Sequence, residues 1–482
     1  MQRNLKGARR PPRRPPHRSA ADPRRGGSSP DLLTPTTAIP DIVWPALPTG
    51  RDATLLALMQ QLEESQWWPP GAIEEMQMRQ LEELVEHAVG TVPFYRDRFA
   101  ALAGMARGEL TAAAWRNVPV LRRADIQDAG PALFTAALPP GHGRTYDVVT
   151  SGSTGRPIHV KGSGIVHLFG RAINLRFQFW HQRDFGAATA AIRRLKAGEA
   201  RFIAAGNVAA WVSAFASGPM HLCDVMRPVD EQVEWLRRLN PPYLLTYPTN
   251  LAALVERSKA LGVTFPALRE VVSMGEVLQQ TQRAFCEREW GVRVVDLYSC
   301  NELGLIALQC PGHDHYLVQS ENLYVEVLDD DGRPCEPGAV GRLVITDLHN
   351  FASPLIRYEL GDHAEVGGPC PTGRTLPVLT RIMGRSRNML TLPTGARVWP
   401  TLTASLFLAV APVRQFQVIQ RSLDAIEVKL AVARPLTGEQ KQKLAGALAA
   451  KFGYPFAFTF TEVAEIPHAP SGKYEDFRSE LT

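Results

Sequence analysis

The chain reads as a mixed α/β protein with a large domain and a small α+β unit at the C-terminal end. Three observations predict this. Residues 140–380 alternate short β-branched runs with helix-like stretches, the pattern of strands joined by helical crossovers. After Gly384 the texture changes to two strands, an amphipathic helix and a further strand. A length of 482 residues exceeds what one ordinary core fills.

In chain order, "ATLLALMQQLEES" and "MRQLEELVEHAV" repeat apolar residues at three and four, which predicts helices between about Ala53 and Phe99. "HVKGSG", "PPYLLTYP", "LREVVSM" and "VRVVDLY" predict strands of the core. "LYVEVLDDDGRPCEPGAVGRLVITDL" predicts two strands around the turn "LDDDGRP". The aromatic run "RFQFWHQRDF" (176–185) predicts a buried helix face. Residues 414–433 hold two strands, "RQFQVIQ" and "AIEVKLAVA". Residues 437–452 form a helix capped by Thr437, and "FAFTFTEV" is a last strand. The expected domains are a disordered tail (1–45), a large domain (46–384) and a small domain (385–482).

Charge and composition narrow the function classes. The formal net charge is +5, yet the first thirty residues hold eight Arg and one Lys against one Asp. The basic character therefore belongs to a tail rich in Pro, Arg, Gly and Ser, and the rest is slightly acidic. Such a tail has too little apolar surface to order itself. It lacks the apolar segment of a secretory signal, and no run approaches the ~20 apolar residues of a membrane helix. Six dispersed cysteines point to a reducing compartment, hence a cytoplasmic protein. No nucleic-acid partner is expected, and the oligomeric state is monomer or homodimer.

The chemistry gathers at five segments. "YDVVTSGSTGRPIHVKG" (146–162) places a glycine and hydroxyl loop between two strands. Glycine lets the backbone approach a ligand, and successive N–H groups can ring an anion. It is not a Walker A loop, because no Gly-Lys-Ser/Thr opens a helix. By itself the segment suits a phosphate loop and a Gly/Ser hairpin turn equally. "DLYSCNELG" (296–304) puts Glu302 just past a strand, and "LIRYELGDHAEV" (355–366) puts Asp362 after a glycine. "RIMGRSRNML" (381–390) marks the change of texture. "IPHAPSGKYEDF" (466–477) puts Lys473 on a Ser-Gly turn.

In this order and spacing the segments resemble the adenylate-forming superfamily of acyl-CoA synthetases, peptide-synthetase adenylation domains and luciferases. Within it the sequence is most similar to the phenylacetate–CoA ligase-like branch, on "TVPFYR" (91–96), Tyr247 and Pro248, and "GRTLPVLTRIMGR" (373–385). The resemblance covers about residues 55–480. It implies a large α/β domain followed by a small domain that rotates about a hinge. It also implies ATP, Mg²⁺ and coenzyme A as cofactors or co-substrates, and activation of a carboxylic acid, aromatic by resemblance, through acyl-AMP to a thioester. Two rivals stand beside it: an adenylating enzyme that passes the acyl group to a carrier-protein thiol or an amine, and a decayed nucleotide-binding protein.

The roles implied follow residue by residue. Thr150, Ser151, Gly152, Ser153, Thr154 and Gly155 would hold the β- and γ-phosphates. Ser273, Met274, Gly275 and Glu276 would line the adenine and acyl pocket, and Tyr298 would sit over the adenine with Ser299 beside it. Glu302 would hold Mg²⁺, with Asn301 where Thr or Ser usually precedes the glutamate. Asp362 would accept from both ribose hydroxyls, with Arg381 and Arg385 near ribose and phosphate. Lys473 would reach in from the small domain. Arg387 stands at the hinge, where Asp or Lys is usual. Trp211, Tyr247 and Pro248, with Phe215, are candidate pocket walls. The branch's structural zinc site has candidates in Cys310, His313, His315 and Cys370. Because Thr372 replaces the second cysteine of a C-x-C pair, a degenerate site with free thiols is the favoured reading there.

Overall fold

The computed structural model describes residues 35–42, 44–99, 108, 110–150, 156–204, 209–385, 388–400, 402, 404–432, 434–467 and 475–481. Ser151, Gly152, Ser153, Thr154, Gly155, Arg387 and Lys473 lie outside the described residues.

The two predicted N-terminal helices are Gly50–Ser65 and Pro70–Thr91. The second starts on a proline, whose missing N–H is unpaired at a helix start anyway, and buries Ile73, Gln77, Met78, Leu81, Leu84, Val85 and Ala88 at the spacing read from the sequence. The chain is laid on the body earlier than expected. Pro35 pairs with Phe215, and the Thr36 N–H donates to the Ala214 carbonyl at 2.9 Å. Residues 35–42 and 44–45 therefore leave the expected tail.

A twelve-stranded sheet organises the described part of the large domain. Its centre is five parallel strands in the spatial order Pro219–Asp224, Thr189–Arg193, Tyr243–Thr246, Glu270–Met274 and Arg293–Cys300. Thr189–Arg193, Tyr243–Thr246, Glu270–Met274 and Arg293–Cys300 are largely buried, as strands covered on both faces are. Beyond Arg293–Cys300 the sheet turns antiparallel, through Gly304–Gln309, Tyr316–Val318, Val378–Arg385, Tyr358–Val366, Val340–Asp347 and Leu323–Leu328. A separate hairpin, Tyr146–Val149 with His159–Gly162, flanks the glycine loop.

After Arg385 a second core begins. Leu390, Phe407, Val418, Val428, Leu444, Leu448 and Phe477 pack together within a four-stranded sheet and its helix. That helix, Gly438–Phe452, carries the predicted Thr437 cap as a full capping box with Gln440 and ends at Gly453 in the left-handed region. The carboxyl ends of the five parallel strands, Arg193, Asp224, Thr246, Met274 and Cys300, share one edge. That edge is where open α/β sheets bind ligands.

Candidate active site

Four of the predicted groups converge at the junction of the parallel and antiparallel halves. Asp362 lies in the strand Tyr358–Val366, directly across from Arg385 on its neighbour. Gly361 before it takes φ +86°, which a side chain would strain. The Tyr298 hydroxyl donates to Asp362 Oδ2 at 2.7 Å, and Arg385 Nε lies 3.7 Å from Oδ1. Burial, then the Asp362 charge, raises the Tyr298 phenol well above its ordinary pKa, so it stays a donor. Glu302 follows the strand Arg293–Cys300, and its Oε1 accepts from the Tyr358 hydroxyl at 3.3 Å.

The chain holds other candidates differently from their expected roles. Ser273 is fully buried, and its hydroxyl donates to Asp296 on the adjacent strand. It braces the sheet rather than lining a pocket. Asp296 also accepts from Tyr316 at 2.6 Å, while burial pushes its carboxyl up to about 6. Met274 is partly buried and Gly275 takes φ +77°. Glu276 Oε2 accepts from Thr249 N–H and Oγ1, at 3.1 and 2.7 Å. Thr150 is buried at the neck of the glycine loop, where its Oγ1 accepts from Arg123 at 3.0 Å and from the Ile158 N–H at 3.1 Å. Arg381 is engaged by Glu365 across the strand pair, Nε to Oε2 at 2.7 Å.

A cavity of about 460 Å³ opens between the hairpin, the helix Gly164–Trp180 and the loop at Asn301 and Glu302. Trp211, Tyr247 and Pro248 are not among its lining residues. Trp211 and Phe215 pack in an aromatic cluster with Phe185, and the Tyr247 hydroxyl accepts from the Arg194 N–H at 3.2 Å. Their aromatic surface is spent on the protein itself.

The Cys/His segments do come together. Cys310 and Cys370 sulfurs are 3.6 Å apart, His315 Nε2 is 3.2 Å from Cys370 Sγ, and Thr372 Oγ1 is 3.0 Å from Cys370 Sγ and 3.8 Å from Cys310 Sγ. Zinc bonds of about 2.3 Å to sulfur and 2.0–2.1 Å to nitrogen set tetrahedral donors roughly 3.5–3.8 Å apart. The three donors, all within 4.8 Å of one another, fit a zinc ion, while the Thr372 hydroxyl hydrogen-bonds with Cys370 Sγ and accepts from Arg374 Nη1 at 3.0 Å. His313 is not in the set. Its backbone instead closes the loop, N–H to the Cys310 carbonyl and carbonyl from Gln309 Nε2.

Three participants escaped sequence reasoning: Tyr358 on Glu302, Arg123 on Thr150, and Arg171 on the cavity wall. Tyr358 alone carried a signal, lying within the quoted "RYELGD".

Residues 128–352 match the AMP-binding enzyme family and residues 390–479 the CapK C-terminal domain. Among curated proteins the chain is similar to phenylacetate-coenzyme A ligases. It is 26% identical over 393 residues to a phenylacetate-coenzyme A ligase of Escherichia coli, covering 77% of this chain and 85% of that protein. It is also 26% identical over 396 residues to one of Thermus thermophilus, covering 78% and 85%. In fold it is similar to a 2-hydroxyisobutyryl-CoA ligase solved in the postadenylation state, with TM-score 0.66 and 18% identity over 86% of this chain and 93% of that one. Among the described residues no helix is long and apolar enough to cross a membrane.

Proposed function

We propose that the protein activates a carboxylic acid with ATP to an acyl-AMP and transfers the acyl group to coenzyme A. The observation that carries this is the Tyr298–Asp362–Arg385 group, together with Glu302 on the wall of a cavity large enough for a small acid. Asp362 is the ribose acceptor, oriented by Tyr298. The acid's carboxylate attacks the α-phosphorus and pyrophosphate leaves, so the protein's part is to position groups and to stabilise charge.

Glu302 suits Mg²⁺: Tyr358 holds one oxygen, and among the described residues the other takes no hydrogen bond. Bound there, the ion would neutralise phosphate charge. Lys473, from the small domain, supplies positive charge at the reacting phosphate, and residues 150–155 cradle the other two. Zinc at Cys310, His315 and Cys370 would tie the antiparallel lobe together. Residues 46–384 and 385–482 are the two working domains, with Arg387 as their hinge.

ATP–pyrophosphate exchange over aryl, fatty and amino acids, with and without coenzyme A, tests the reading. Lys473→Ala is expected to abolish exchange, a loss of a few hundredfold or more (~3–4 kcal/mol). It is expected to spare thioester formation from supplied acyl-AMP, because that step lacks the pentavalent phosphorus. Equal damage to both half-reactions would refute the division of labour.

A further inference from the structure

The lining of the cavity is part apolar, with Val148, Val149, Val160, Val166, Leu175 and Val212, and part polar and cationic. Tyr146 is the one Phe, Tyr or Trp among its lining residues, and its ring lies across Gly162. The helix Gly164–Trp180 turns two faces in different directions. Ala172, Ile173, Phe177 and Trp180 enter the core, whereas His167, Gly170, Arg171 and Asn174, at the three-and-four spacing of one stripe, face the cavity. A pocket for a neutral ring would fill such a stripe with apolar side chains. Here it is polar, and Gly170 leaves open space, since a Cβ there would meet nothing within 4 Å.

Cations gather on the same walls. Arg171 is 19% exposed and held in place by two contacts, Nη2 on Asp52 at 3.0 Å and Nε on Ser213 at 3.1 Å. Among the described residues its Nη1 takes no partner. Lys196, just past the strand Thr189–Arg193, is exposed, and its ammonium has no carboxylate within ion-pair distance among the described residues. Lys161 enters from the hairpin, its ammonium 5.0 Å from the centre of the Phe134 ring. Asp147, the carboxylate on the hairpin wall, is engaged by His159 at 2.8 Å, which leaves Glu302 at the reacting end.

We infer that the acid this enzyme activates carries a second anionic group, a carboxylate or phosphate, which Arg171 and Lys196 bind while the reacting carboxylate lies toward Glu302. This rests on the adenylation reading above and names its substrate class. A planar guanidinium fixed from one side presents its remaining N–H groups in the geometry that a carboxylate or phosphate accepts. The phosphates of coenzyme A share that chemistry, so the test separates the two sources.

The experiment is ATP–pyrophosphate exchange with matched acids, phenylacetate against 4-carboxyphenylacetate and butyrate against glutarate. These are run on the full chain and on Arg171→Met, Lys196→Met and the double variant Asp52→Asn/Arg171→Met, which leaves no carboxylate stranded if the single variant folds poorly. The unsubstituted protein is expected to favour the dianionic member of a pair at least tenfold in kcat/KM. Arg171→Met is expected to remove that preference while sparing the neutral acids, and Arg171→Lys to restore part of it.

Preference for neutral acids, or a dianion preference that survives both substitutions, overturns the proposal and leaves adenylation standing. So does a rise in the KM for coenzyme A with exchange unchanged, which would assign the cations to the acceptor's phosphates. No exchange with any acid in any variant overturns the adenylation reading, and the second-anion site with it.

Discussion

Asp347 ends the strand Val340–Asp347 and is 1% exposed. Its Oδ1 accepts from the His349 N–H at 3.1 Å, while Oδ2 has no hydrogen-bond partner among the described residues. Burial pushes the carboxyl from its ordinary 3.8 up to about 7. A folded pKa above the unfolded one means that the folded state holds the extra proton. The carboxyl's contribution to stability is therefore fully present below about pH 4 and is lost as pH rises through 7. Three pKa units correspond to roughly 4 kcal/mol for keeping this group ionised above that range.

Asp347→Asn removes the charge and keeps the shape. Its amide nitrogen inherits the position that already lacks a partner in the neutral carboxyl, so the two neutral side chains are close to equal and the net gain at pH 8 is about 4 kcal/mol. Near pH 4, where both side chains are neutral, the gain is close to zero. Thermal melts of the two proteins from pH 4 to 8 should show Tm curves that meet at the acid end and diverge by on the order of 4–8 °C at pH 8. A constant difference across the range, or a less stable variant at pH 8, would refute the linkage.

Other outcomes follow from the same geometry. Asp362→Asn keeps the Tyr298 bond but turns one acceptor into a donor. It should raise the KM for ATP by about 10–150-fold, the value of one charge-assisted hydrogen bond, with Tm within 2 °C or so; an unchanged KM would sink the ribose assignment. Cys370→Ser should cut zinc bound per chain, measured by atomic emission, and lower Tm, whereas a zinc-free unsubstituted protein with the same Tm would show a metal-free cluster. Deleting residues 1–34 should leave exchange and Tm unaltered, because the composition cannot build a core. Deleting through residue 48 also removes the Pro35–Phe215 pairing and should lower Tm; equal Tm values for the two truncations would show that the pairing contributes nothing.

The sequence made legible what is local. The period of apolar residues found the helices Gly50–Ser65 and Pro70–Thr91, and Thr437 announced its helix by a cap and an i+3 partner. Asp362 and Glu302 stood out because a glycine or a strand end precedes each. The misses are non-local. That Ser273 turns its hydroxyl to Asp296 depends on the register of two strands about twenty residues apart, which no window of one strand contains. Nothing in the sequence singles out Arg171; only the helix's rotation against the sheet decides that its stripe faces a cavity. That Cys310, His315 and Cys370 meet depends on the pairing of distant strands, which their spacing along the chain does not show. The docked residues 35–42 lack apolar periodicity, and a single bridge with two backbone hydrogen bonds leaves no sequence pattern to read.

The helix Gly164–Trp180 presents His167, Gly170, Arg171 and Asn174 to the cavity and Ala172, Ile173, Phe177 and Trp180 to the core, with Leu175 touching both. Substitution at 167, 170, 171 or 174 alters the cavity without opening a hole in the packing that Ala172, Ile173, Phe177 and Trp180 maintain. Purifying selection for foldability thus acts on one side of this helix and leaves the other free to vary. Neighbouring lineages that keep Glu302 and Asp362 can drift apart at those four positions, so a comparison of these positions among relatives would sort them by diet before any assay is run.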